Sequence, residues 1–145
     1  MTAYADTGLL CSLYAPDAHT GRVVARMQRQ ALPLPLTWLH QLEFRNALRL
    51  RVFRGEITPP QRDASLNALL ADVAAGVLAA AAPPLAETLT EAERLSALHT
   101  ETTGTRSLDV LHVSSALVLG LAEFLTLDHR QRALAKAAGL KVPAL

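Results

Sequence analysis

The chain has 145 residues, 50% of them hydrophobic and 19% charged, a balance that excludes a disordered or fibrous chain and allows a sizeable buried core. Ala and Leu dominate while Phe, Tyr and Trp number three, two and one, which favours helices with aliphatic packing over an all-β barrel or sandwich. The formal net charge is +1 and acids and bases are interspersed, so no polybasic tail or acidic tract dictates a partner.

In chain order, Met1-Thr2-Ala3-Tyr4-Ala5-Asp6 carries no basic start and no long apolar stretch, so no signal peptide is expected. Tyr4-Ala5 reads as a first strand ending on Asp6. Cys11, the only cysteine, lies in the apolar run 9–13; it excludes an intramolecular disulfide and reads as a buried, inert thiol. Residues 18–30 pattern as an amphipathic helix, and Pro33 and Pro35 bracket a short extended piece. A helix follows from Thr37 to about Arg54, closed by Gly55. Its residues Leu39, Leu42, Phe44, Ala47 and Leu48 are apolar nearly all round, so it is expected to be largely buried.

Thr58-Pro59-Pro60-Gln61 combines an N-cap, a proline in the first turn and a Gln at N3, opening a helix to about Ala75. Residues 77–81 read as a weak strand. The segment 73–86 is the most apolar, but Pro83-Pro84 breaks it and it is too short to span a bilayer, so a soluble cytoplasmic protein is expected. Thr90-Glu91-Ala92-Glu93 is a second capping-box pattern, predicting a helix to about Thr102. Ser107 is expected to cap a helix over 108–119, in which Ala116 and Gly120 suggest close packing on a sheet. Residues 123–127 read as a strand, 129–138 as a helix stopping at Gly139, and 141–144 as a last short strand. Short strands alternating with helices predict one α/β domain over 1–145 with parallel pairing.

Four acids stand out against this pattern. Asp6 follows the first strand at its carboxyl end, where open parallel sheets form ligand sites, although capping of the next helical turn explains an Asp there equally well. Glu43 lies on the helix expected to be buried and needs a partner, an internal Arg being the plain alternative. Asp109 sits in a first helical turn, where the helix dipole favours an acid. His112, on the same face, reads as a satisfied core histidine rather than a metal ligand. Asp128 ends the strand before Asp128-His129-Arg130-Gln131 and fits an N-cap, while leaving one oxygen free. The local settings of the four are compatible with one cluster. Carboxylates sharing a site repel unless a cation neutralises them, and an oxygen-rich site of this kind suits Mg²⁺ or Mn²⁺.

On Tyr4-Ala5-Asp6-Thr7, residues 43–48 (EFRNAL), residues 106–113 (RSLDVLHV), residues 124–128 (FLTLD) and the tail 134–140 (LAKAAGL), the chain resembles the PIN-domain family, specifically the VapC-type toxins of bacterial toxin–antitoxin pairs. The resemblance runs from residue 3 to residue 142. It implies a three-layer α/β/α sandwich around a parallel sheet of four or five strands. It implies a metal-dependent endoribonuclease in which metal-bound water hydrolyses an RNA phosphodiester. Asp6 and Asp109 would be direct metal ligands, Glu43 and Asp128 would complete the site, and Thr7 and Thr126 would be supporting hydroxyls. It also implies an antitoxin whose peptide arm enters the active-site groove, and a homodimer. Where many relatives carry a serine two residues after the first acid, this chain has Gly8, which leaves a supporting hydroxyl unaccounted for.

Other readings fit less of the chain. Asp6-Thr7-Gly8 matches the aspartic-protease signature, but that chemistry pairs two aspartates in β-rich lobes. A phosphatase with an aspartyl nucleophile needs a second Asp where Gly8 stands, and the only lysines, Lys136 and Lys141, lie near the end. A PIN nuclease of RNA processing outside a toxin pair, or an inactive PIN-like RNA-binding module, are the nearer alternatives; retention of all four acids argues against the second. Among Arg45, Arg49, Arg51, Arg54, Arg106 and Arg130, the last two lie within three residues of a proposed site acid and are the best candidates for phosphate contacts.

Overall fold

A computed structural model describes all residues, Met1–Leu145. The strands are short: β1 (Ala3–Ala5), β2 (Leu34–Leu36), β3 (Leu78–Ala80) and β4 (Glu123–Leu125). Between and after them run α1 (Thr7–Tyr14), α2 (Thr20–Met27), α3 (Trp38–Phe53), α4 (Pro59–Ala74), α5 (Leu85–Leu95), α6 (Glu101–Thr103), α7 (Ser107–Val118) and α8 (His129–Ala137). A π-helical turn, Ser96–Thr100, joins α5 to α6. No helix is long and apolar enough to cross a membrane.

The α/β class, the parallel pairing and the four strands agree with the expectation from the sequence, and the sheet is built of strands only three residues long. It consists of two parallel pairs, β1 with β4 and β2 with β3, with β1 and β2 side by side. The expected strand over 141–144 contracts to one bridge, Lys141 against Glu123. Three-residue strands of two-sided apolar character leave few ladder positions to extend.

Side-chain alternation along the strands divides the core into two layers. Ala3 and Ala5 face a cluster with Leu9, Leu10, Leu34, Leu36, Phe44, Leu48, Leu69 and Leu78, under α1 to α4. Tyr4 and Phe124 face the other way, into a cluster with Leu95, Val110, Val113, Ala116 and Leu134, under α5, α7 and α8. Cys11 lies buried in the first cluster as a free thiol. Helices cover both faces of the strands, as in a three-layer sandwich.

The helix starts show which local signals carried. Thr37 and Thr58 both cap, each side chain accepting from the N3 backbone N–H while the N3 side chain, His40 or Gln61, accepts from the cap residue's own N–H. Gly55 follows α3 with φ of +73°, a conformation that favours glycine. The capping pattern at Thr90, by contrast, opens nothing. Pro83-Pro84 starts α5 upstream at Leu85, and Thr90 sits inside the helix with its hydroxyl bonded back to the Ala86 carbonyl at 3.0 Å. Ser107 is likewise the first residue of α7, and Arg106 is the N-cap. Ala116 is fully buried, but Gly120 is exposed in the left-handed turn after α7 and packs on nothing.

Candidate active site

β1 ends at Ala5, whose carbonyl accepts a hydrogen bond from His40 Nε2 at 2.7 Å. His40 Nδ1 in turn accepts from the Thr37 backbone N–H at 3.0 Å, so the imidazole carries its proton on Nε2. Burial holds this histidine far below its usual range, at about 3, and the neighbouring His112 pushes in the same direction. A neutral ring thus ties α3 to the residue before Asp6.

Asp6 is 2% exposed. Its backbone N–H bonds to Leu125 of β4 at 3.1 Å. Its carboxylate caps α1, Oδ1 accepting from Leu9 N–H at 2.7 Å, while Oδ2 accepts from the Thr126 hydroxyl. Burial raises the Asp6 carboxyl above the ordinary carboxylate range; these two bonds and His112 oppose the rise, and Asp128 adds to it. Thr126 also joins two of the acids, since its oxygen accepts the Asp128 backbone N–H at 2.9 Å. Asp128 caps α8 through Oδ1 alone, from Arg130 and Gln131 N–H at 2.8 and 3.0 Å, and its Oδ2 makes no hydrogen bond.

Glu43 reaches the same place from α3. Its Oε1 accepts from Thr7 Oγ1 at 2.9 Å and from His112 Nε2 at 2.5 Å, and Oε2 is without a partner. The partners of Glu43 are this histidine and threonine and not an arginine, the alternative that the sequence left open. Burial alone would raise the Glu43 carboxyl, but the bond and charge of His112 and the Thr7 hydroxyl outweigh it, and the net shift is downward. Asp109 is the outlier. It is half-buried in the first turn of α7, its Oδ2 accepts Arg106 N–H at 3.0 Å, and Oδ1 is unpartnered. It joins the others only through its own helix, three residues ahead of His112.

Of the two threonines named from the sequence, Thr126 bonds Asp6 and Thr7 bonds Glu43. The missing hydroxyl at Gly8 is not a steric exclusion: a Cβ there would lie 3.6 Å from Asp6 Oδ1, an ordinary contact. Arg106 and Arg130 are both exposed. Two further residues, not evident from the sequence, reach the site: Arg132, whose guanidinium donates to the Thr126 carbonyl at 3.4 Å, and Tyr4. The Tyr4 hydroxyl lies 2.8 Å from His112 Nδ1. The available signal was that Tyr4 stands two residues before Asp6, on the same side of one strand.

The donor set is all carboxylate and hydroxyl oxygen, the chemistry that a hard divalent cation takes. Glu43, Asp109 and Asp128 each keep one oxygen free of hydrogen bonds, and Asp6 is a buried acid with no cationic side chain bonded to it. As the side chains are placed, however, no three His, Cys, Asp or Glu groups are close enough together to hold a metal ion. The acids therefore fit a cation in kind, with closure of the carboxylates still required.

No protein-family model and no curated protein matches the chain. Fourteen chains of solved structures do. A chain in the crystal structure of VapBC2 from Rickettsia felis, bound to a DNA fragment from their promoter, superposes with a TM-score of 0.65 at 12% identity, covering 99% of this chain and 98% of that one. A chain of FitAcB from Neisseria gonorrhoeae gives 0.66 at 16% identity, covering 99% and 97%. At these identities the shared property is the fold, over nearly the full length of both partners.

Proposed function

We propose that this chain is a metal-dependent endoribonuclease of the PIN type and the toxin of a toxin–antitoxin pair. The observation that carries the reading is that Thr126 bonds both Asp6 and Asp128 at the carboxyl ends of β1 and β4, while Glu43 reaches from α3 to Thr7, the residue after Asp6. Similarity to chains of VapBC2 and FitAcB supports it at the level of fold. In this reading Asp6 and Asp109 hold Mg²⁺ or Mn²⁺ directly, and Glu43 and Asp128 complete the site. A cation bound there supplies activated water and neutralises charge on a phosphoryl group.

The chain's own residues do the rest. Asp6 is held by α1 and Thr126, so its oxygens are fixed before anything binds. Glu43 is kept ionised by its partners, as a ligand must be. Arg106 and Arg130, exposed beside Asp109 and Asp128, contact RNA phosphates and set its register without reading sequence. An antitoxin silences the site by laying a peptide arm in the groove, and a second copy of the chain completes a homodimer.

The test is cleavage. Purified protein is expected to cut RNA with Mg²⁺ or Mn²⁺ and to stop when EDTA is added. Asp6→Ala and Asp109→Asn are expected to abolish cutting with the fold intact by circular dichroism. Induced expression of the wild type, but not of Asp109→Asn, should arrest growth, and co-expression of a cognate antitoxin should relieve it. A folded Asp109→Asn protein that cuts at the wild-type rate refutes the assignment.

A further inference from the structure

His112 is 2% exposed and lies between two acid-bearing helices and the first strand. Its ring is wedged against Tyr4 and His40, at centroid distances of 5.6 and 5.0 Å. Both nitrogens are engaged: Nδ1 with the Tyr4 hydroxyl at 2.8 Å, Nε2 with Glu43 Oε1 at 2.5 Å and with Thr7 Oγ1 at 3.1 Å. Partners 108 and 69 residues away in sequence meet on one ring.

Donor counting assigns the proton. Thr7 has one hydroxyl hydrogen and gives it to Glu43, so at its contact with His112 the threonine oxygen accepts. Nε2 must then carry a hydrogen, shared between Thr7 and Glu43. Nδ1 faces the Tyr4 hydroxyl, so the chain Tyr4 to His112 to Glu43 ends on a single carboxylate oxygen.

Resting on the ribonuclease reading above, we propose that His112 is the positioning residue of Glu43, its Nε2–H fixing Oε1 and leaving Oε2 free of hydrogen bonds for a cation. His112 has no free nitrogen, so it binds neither metal nor RNA. It acts through Glu43, and through α7 it places Asp109 one turn away. Carboxylate ligands held by an outer hydrogen bond bind metal more tightly because their orientation is settled in advance.

The measurement is Mn²⁺ affinity of the metal-free protein by calorimetry, beside thermal unfolding of each variant. His112→Leu removes the donor and is expected to weaken Mn²⁺ binding roughly tenfold or more. His112→Gln keeps an N–H at the reach of Nε2 and should restore most of the affinity, which a purely space-filling role does not predict. Tyr4→Phe leaves the packing and removes only the hydroxyl that orients the ring, so it should also weaken binding; it serves if His112→Leu does not fold. Wild-type binding together with unchanged affinity in folded His112→Leu or in Tyr4→Phe overturns the positioning role and leaves the ribonuclease reading standing. A His112→Gln protein as weak as His112→Leu overturns it as well. A wild-type chain that binds no Mn²⁺ overturns both.

Discussion

His40 shows what a single buried residue commits the fold to. Its neutral ring bridges Thr37 and the Ala5 carbonyl, so protonation would break the tie between α3 and β1. Because its folded value lies near 3, below an unfolded value of about 6.5, its contribution is fully present above pH 6.5 and is lost as pH falls toward 3. At pH 5 that loss amounts to about 2 kcal/mol. Urea unfolding at pH 7.5 and pH 5 is expected to show the larger drop in the wild type than in His40→Gln; equal drops contradict the assignment. At this scale the sequence was legible where partners are local. Asp6 and Asp128 each cap the helix that immediately follows them, and a short window of sequence carries that information. Glu43, His112 and Tyr4 were not legible in their pairings, because a buried polar group is satisfied by whatever the topology brings near, here from elements far apart in the chain.

Among the elements, helix boundaries followed the strongest local stop or start. Thr58 with Gln61 opened α4 as read, whereas Thr90 with Glu93 lost to the proline pair upstream. The larger surprise is α3. Apolar residues nearly all round suggested burial, yet Trp38, Leu42 and Phe53 are 49%, 62% and 87% exposed. They recur at helical spacing on one stripe with Arg45 and Arg49, opposite the face that holds Phe44 and Leu48. The stripe is the first place to test for the contact of the homodimer proposed above. Sedimentation at micromolar concentration is expected to give a dimer for the wild type and a monomer for Phe53→Ser, with stability changed by no more than about 0.5 kcal/mol. A monomeric wild type contradicts that use of the stripe.

For the whole molecule, the two apolar clusters on opposite faces of β1 and β4 bring α1 and α3 to one side of the strand ends and α7 and α8 to the other. The four acids come from four different elements: Asp6 at the end of β1, Glu43 on α3, Asp109 on α7 and Asp128 after β4. The alternation of short strands and helices made this layout readable in advance. The extent of the sheet was not, because strand length is decided by pairing across the chain. The layout also buries Asp6 with two hydrogen bonds but no cationic side chain bonded to it, a setting that a cation would relieve. The most direct measurement is therefore anomalous diffraction from a crystal grown with Mn²⁺. A manganese peak is expected on the carboxylates of Asp6 and Asp109, with Glu43 and Asp128 turned toward it, and absent in Asp6→Asn. Manganese bound elsewhere, or the four acids unchanged in position with none between them, contradicts the account.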